Sequence, residues 1–213
     1  MSSQPNINLW SSPQHALEYL SRADSIPHRT EGEATLLECL PAQMNRVLDL
    51  GSGDGRLLGL VKLARPNISA IALDFSTAML VCLKGRFASA KSVQVIDHDL
   101  QNPLPHFGKF DAVVSSFAIH HLTHERKRAL YAEIYAALNP GGVFCNLEHV
   151  ASSTNTLHAK FLESINQPNE DPSNKLLDLH QQLLWLREIG FKDVDCLWKW
   201  RELALMTGAK PRE

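Results

Sequence analysis

Three glycines at alternate positions, Gly51, Gly53 and Gly55, stand directly behind a short apolar run, Val47-Leu48-Asp49-Leu50. The run reads as a buried strand, and the periodic segment after it, to Ala64, reads as a helix. A strand, a glycine turn and a helix N-terminus make a place for a nucleotide-like ligand. Glycine admits positive φ and lets a ligand come close to the backbone. The helix end offers free N–H groups and a partial positive charge. The dinucleotide fingerprint G-x-G-x-x-G is not met, because its third glycine position is Arg56. A phosphate-binding loop is not met either, because no Lys-Ser or Lys-Thr follows.

The chain of 213 residues is long enough for one well-buried domain, with little left for a second. A formal charge of −2 argues against a large nucleic-acid footprint. No apolar run approaches the ~18 residues of a membrane span. The first residues, MSSQPNINLWSS, lack the basic and apolar regions of a secretory signal. Cys39, Cys82, Cys145 and Cys196 show no C-x-x-C spacing and read as buried, reduced thiols of a cytoplasmic protein. The ten histidines are scattered and show no H-x-x-x-H on a helix, so no metal centre is expected.

The elements follow in order. Residues 1–13 read as polar and extended, with Trp10 packing on something. Gln14 to Arg22 reads as a short amphipathic helix. Thr30 is placed to cap a helix from Glu31 to Leu40, with Glu33 completing a capping box. Strands are expected at Arg46–Leu50, Ala70–Asp74, Val93–Ile96, Phe110–Ser115 and Val143–Leu147. Helices from Arg56, from a Ser76 cap and from a Thr123 cap alternate with them. Repeated β-α units imply a parallel sheet with helices on both faces. Residues 149–175 then break the pattern as a polar insertion with one helix, Thr154 to Ile165, and are expected to act as a lid. Ser173 is expected to cap a helix through Ile189. Phe191–Trp198 and Glu202–Thr207 form a final hairpin. The expected architecture is a three-layer α/β Rossmann-like fold: a seven-stranded, mostly parallel sheet with an antiparallel end. Residues 1–30 would be a helical extension and 31–213 the domain.

These motifs, in this order, resemble the class I S-adenosylmethionine-dependent methyltransferases over roughly residues 30–210. The glycine loop resembles the family's first motif, Asp74 its second-strand acid, and His98-Asp99-Leu100 the residues after its third strand. The stretch FDAVVSSFAIHHL, from Phe110, resembles its fourth motif, and Asn139-Pro140-Gly141-Gly142 the turn before its fifth strand. The resemblance implies S-adenosylmethionine as cofactor. Asp49, Gly51, Ser52, Gly53 and Gly55 would line its methionine end, with Ser115 and Arg29 close by, Arg29 pairing with the carboxylate. Asp74 would hold the ribose hydroxyls, Phe75 and Met79 would cover the adenine, and Asp99 with the Leu100 N–H would read its edge. Asp111 reads as structural.

Methyl transfer from a sulfonium is an in-line displacement, so the protein's task is to position the acceptor. A hydroxyl acceptor also needs a base, for which histidine is suited. His120 and His121, after the fourth strand, and His149, after the fifth, lie where α/β sheets bind ligands. Phe117, Glu148 and Trp10 are expected to contact substrate. The sequence after the fourth strand is Ser115-Ser116-Phe117-Ala118, not an Asn-Pro-Pro-Tyr tetrad, which argues against base or glutamine methylation. The expected activity is methylation of an oxygen or nitrogen on a small molecule, with self-association into a homodimer left open. Two alternatives stand beside it: a tRNA wobble-modification enzyme using a carboxylated cofactor, and a non-catalytic cofactor-binding subunit.

Overall fold

The computed structural model describes residues 9–23, 25–167 and 169–212. The extended reading of residues 1–8, and Pro168 of the insertion, lie outside them. A 3-10 turn at Leu9–Ser11 leads into α1 (Pro13–Ala23) and α2 (Arg29–Cys39). Then β1 (Arg46–Leu50), α3 (Arg56–Ala64), β2 (Ser69–Asp74), α4 (Thr77–Arg86), β3 (Val93–Asp97) and β4 (Phe110–Ser116) alternate. A 3-10 turn at Ile119–His121 precedes α5 (His124–Ala137) and β5 (Leu138–His149). The chain closes with α6 (Asn155–Ser164), α7 (Leu179–Ile189), β6 (Lys192–Trp200) and β7 (Leu203–Ala209).

Among the described residues, seven strands form one sheet in the order β3-β2-β1-β4-β5-β7-β6. The first five pair in parallel, and β7 runs antiparallel to both β5 and β6. The strand order reverses beside β1, which has β2 on one side and β4 on the other. Ligands of open α/β sheets bind at such a switch point, beyond the carboxyl ends of the strands.

The two faces of the sheet are packed separately because side chains alternate along a strand. Leu48, Leu50, Ile71, Leu73 and Val113 pack against Leu130, Tyr131, Ile134, Leu183 and Leu186 of α5 and α7. Their neighbours Val47, Ala70, Ala72, Ala112 and Val114 pack against Leu36, Leu58, Val61 and Leu80 on the other face. The carboxyl edge carrying Asp49, Asp74 and Ser115 is thereby held between two packed cores.

Three boundary expectations are corrected. The Thr30–Glu33 capping box does not form: α2 begins at Arg29, with His28 at its N-cap and φ 60°. Glu33 is drawn inward instead, accepting from Arg29 Nε at 2.9 Å and from Arg56 Nε and Nη2 at 2.8 and 2.9 Å. A buried carboxylate is stable only when paired, and two guanidinium groups outbid one backbone N–H. Ser173 caps no helix; α7 starts at Leu179, and the Asp178 carboxylate accepts from Gln181 N at 3.0 Å. Finally, Asn139-Pro140-Gly141-Gly142 is not a turn outside the sheet. It is the bulged start of β5, where Asn139 Nδ2 donates to Asp111 Oδ1 at 2.8 Å. Asp111 also accepts from Asn45 N at 2.7 Å, which suits the structural role expected of it.

Candidate active site

A cavity opens at the switch point beyond β1, β2 and β4. Asp49, Gly51, Ser52, Gly53, Asp74, Phe75, Met79, Asp99 and Leu100 line it, together with Arg29 and Phe117. The glycine loop is tied to β2: Gly53 N donates to Asp74 Oδ2 at 2.8 Å, and Ser52 N donates to Leu73 O at 2.8 Å. Asp74 Oδ1 also accepts from Ser76 N at 2.9 Å, at the start of α4. Asp99 Oδ1 accepts from Gln101 N at 2.9 Å. Each carboxylate keeps further lone pairs for a ligand.

Gly51 and Gly53 have positive φ, 64° and 56°. They differ in what surrounds them. A Cβ at Gly51 would collide with the Ala118 methyl, whereas one at Gly53 would meet only Met79 Sδ, at 3.9 Å. Gly51 is therefore needed by the fold, and Gly53 keeps open a wall of the cavity. Asp49 is 1% exposed, and neither carboxylate oxygen has a hydrogen-bond partner. Burial pushes its pKa to about 7, with nearby Ser52 opposing and Asp74 and Asp54 adding to the rise. Such an orphaned acid is costly unless a ligand completes it.

Three expected residues do not reach this cavity. Gly55 is a packing point: a Cβ there would meet Phe87 and Leu83 at 2.6 and 2.7 Å. Ser115 is fully buried and donates to Leu50 O at 2.9 Å, locking β4 to β1, while the next residue, Ser116, lines the cavity. Glu148 is also fully buried, so it supports His120 rather than touching substrate. The signal for Ser116 was the period of two along β4: if Ser115 bonds across the sheet, its neighbour faces elsewhere.

A second cavity adjoins the first. His120, His121 and His149 line it, with Phe161, Leu162, Ile165 and Leu203 as apolar wall and Glu170 and Asp171 at one side. Trp10, Tyr19, Phe117 and His121 belong to both cavities and form the wall between them. Trp10 packs edge-on against His15 and Tyr19, at 4.9 and 5.1 Å between centroids, and its ring lies 5.1 Å from that of His121.

Each histidine has an acidic support. His120 Nδ1 donates to Glu148 Oε1 at 2.6 Å, and Oε1 also accepts from His149 N at 2.9 Å. Burial, reinforced by His149 and Lys127, holds His120 well below the usual imidazole range, so it is neutral. Burial raises Glu148, with Lys127 opposing. Lys127 is itself fully buried and donates to the carbonyls of His120, Leu122 and Lys175. It staples the histidine turn to the insertion, and burial lowers its pKa to about 8. His149 Nε2 donates to Glu202 Oε2 at 2.8 Å. His158 joins Glu202 at 3.0 Å and Glu170 at 2.7 Å, which ties α6 and the insertion to the hairpin. Among the described residues, no group of three or more His, Cys, Asp or Glu is arranged to hold a metal ion.

Sequence reasoning missed Tyr19, Asp171, Ser173 and Lys175. Tyr19 and Lys175 carry no local signal for this site, since each arrives from another part of the chain. The turn at Asp171-Pro172-Ser173 was the readable clue, because Asp and Ser there bond to each other rather than begin a helix.

Comparison with known proteins supports the same class. Residues 47–142 match the family model of a methyltransferase domain. Over that stretch, a little under half of its length, the chain is similar to the class I methyltransferases. A carboxy-S-adenosyl-L-methionine synthase of Helicobacter hepaticus is 26% identical over 212 residues, covering 87% of either chain. An uncharacterized methyltransferase of Mycobacterium bovis is 34% identical over 122 residues, 57% of this chain and 59% of that one. An O-methyltransferase family protein from Burkholderia thailandensis shares the fold, with a TM-score of 0.75 at 16% identity over 95% of this chain. This chain spans 61% of that protein, less than two thirds of its length. The cofactor that this similarity implies is S-adenosylmethionine. The first cavity fits it: the orphaned Asp49 carboxylate suits a cationic group, and the open wall at Gly53 leaves the space. No helix among the described residues is long and apolar enough to cross a membrane.

Proposed function

We propose that this methyltransferase domain acts on an oxygen or nitrogen of a small-molecule acceptor. The observation that carries the reading is the wall of Trp10, Tyr19, Phe117 and His121 shared by the two cavities. When bound, S-adenosylmethionine supplies an electrophilic methyl group on a sulfonium. Asp49, Asp74 and Asp99 hold it in the first cavity. Phe117, Phe161 and Leu203 bury the acceptor in the second and keep water out. Trp10 and Tyr19 of the N-terminal segment, with residues 169–175, close over the junction. Orientation across that wall is the main catalytic contribution, and it is a large one.

A labelled-methyl assay against a metabolite extract tests this, with Asp74→Ala as the control. That substitution removes the partners of Gly53 N and Ser76 N. It is expected to weaken cofactor binding at least 100-fold, roughly 3 kcal/mol, comparable to losing two charge-assisted bonds. Unchanged binding would remove the basis for the pocket.

A second reading has specific support. The synthase relative matches over most of both chains. A carboxylated cofactor would need a cation, and Lys175 lines the first cavity, its Nζ donating to the carbonyls of His121 and Ser173. Under this reading the purified protein retains a cofactor heavier than S-adenosylmethionine by a carboxyl group, which mass spectrometry detects.

A further inference from the structure

His121 stands at the wall between the two cavities, and its Nε2 is buried without a hydrogen-bond partner. Its other nitrogen is fixed. Ser173 Oγ lies 2.7 Å from Asp171 Oδ1 and 3.1 Å from His121 Nδ1. A serine hydroxyl has a single proton, and the shorter contact to a carboxylate claims it. Ser173 must then accept from His121, so Nδ1 carries the hydrogen and Nε2 keeps its lone pair.

We infer that His121 Nε2 is the general base for a neutral hydroxyl acceptor, with Asp171 and Ser173 as the positioning residues that set its tautomer. This rests on the methyl-transfer reading above. His120 has the same tautomer through Glu148, but it lines only the second cavity. The acceptor atom must reach the first cavity, and of the four residues lining both, His121 alone offers a free basic lone pair. As the bond forms, the O–H proton passes to Nε2 and the oxygen electron pair bonds to the methyl carbon. The electrons of the broken carbon–sulfur bond remain on sulfur, and the imidazolium then returns its proton to solvent.

The surroundings select a hydroxyl over an ammonium. The acids of the second cavity are already engaged. Glu170 pairs with His158 at 2.7 Å, and Asp171 is held by Ser173, with His15 Nε2 3.3 Å away. The apolar wall suits the flat body of a phenol.

The groups facing His121 fix the sign of the pH effect. Burial and His120 lower its pKa, while Asp171, Glu148 and the bond to Ser173 raise it, and the net direction is well below the usual imidazole range. Lys127 and Lys175 touch this turn through the carbonyls of His120 and His121. Neutralising Asp171 removes a raising influence, so the acid limb of the rate profile moves to lower pH in Asp171→Asn.

Two measurements on the full chain decide the matter. Nitrogen-15 NMR of the side chain is expected to show the Nδ1–H tautomer of His121 at pH 7, and Ser173→Ala is expected to lose that preference. An Nε2–H tautomer in the parent protein would overturn the relay, whatever the activity. The labelled product from metabolite extract is expected to be a methyl ether. His121→Gln should lower its formation at least 100-fold. Ser173→Ala should lower kcat about 10-fold with KM and cofactor affinity within threefold, and Ser173→Thr should restore it. An N-methyl product, or His121→Gln within threefold of the parent, overturns the base. No labelled product at any pH overturns the transferase reading itself while leaving the tautomer result standing.

Discussion

Asp49 places function and stability in opposition, and Asp49→Asn separates them. The pKa rises from 3.8 to about 7, a shift of roughly three pH units caused first by burial. At 1.36 kcal/mol per unit this is about 4 kcal/mol, an upper bound on the cost of keeping the ionised group in the folded protein. Below about pH 4 both folded and unfolded chains bind the proton and there is no cost. Between pH 4 and 7 the folded chain holds a proton that the unfolded chain has released, so stability falls as pH rises. Above pH 7 the full cost applies. Asparagine has nearly the same shape and no charge. It should therefore stabilise the cofactor-free protein at pH 8 by ~2–4 kcal/mol, or about 4–16 °C in Tm for a chain of this size, and change little at pH 4. The same substitution removes the partner of a cationic ligand group. Cofactor affinity should fall by ~2–3 kcal/mol, about 30- to 150-fold. In the parent protein it should also fall about tenfold per pH unit below 7, and in the variant it should not. Thermal unfolding and titration calorimetry at several pH values read both effects. A variant that is less stable at pH 8, or binds the cofactor as tightly as the parent, refutes the argument.

Two further substitutions test how the site is built. Gly53→Ala should fold with a penalty of ~1–2 kcal/mol from its positive φ, yet lose most cofactor binding because the new methyl enters the cavity. Gly51→Ala should instead lose stability outright through the collision with Ala118, so the pair should part clearly in thermal shift and in calorimetry. Glu202→Gln weakens the bonds from His149 and His158 that hold the insertion. Limited proteolysis within residues 165–175 should speed up several-fold while the core stays folded; an unchanged cleavage rate would mean that Glu202 does not hold the insertion.

The parallel strands were legible because a strand buried on both faces must be an apolar run between turn signals. AIALD and FDAVVS are such runs, and β2 and β4 lie on them. The start of α2 was misread because Thr30 and Glu33 have the right spacing for a capping box. That spacing says nothing of Arg56, which arrives from beyond the glycine loop to take the carboxylate. The start of α7 was misread in the same way, because Ser173 spends its hydroxyl on Asp171 and His121.

The two halves of the site differ in the same respect. The cofactor half is assembled from the ends of successive strands, Asp49 on β1, Asp74 on β2 and Asp99 after β3. Each follows its strand in sequence, so local pattern places it at the carboxyl edge. The acceptor half joins Trp10, Tyr19, His121, Phe161 and Asp171, which no single element carries. Their meeting is set by pairings that sequence spacing cannot express: Lys127 to the carbonyls of His120 and Lys175, and Glu202 to two histidines from different elements. These bonds tie α5, the histidine turn and the final hairpin to the insertion. Replacing that insertion changes the acceptor wall and the support of His121, while the glycine loop and the three acids stay in place. In the proposed reading the acceptor wall comes from the N-terminal segment and residues 150–175, and the acids of the cofactor cavity come from β1 to β3, with Trp10, Tyr19, Ser173 and Lys175 completing that cavity.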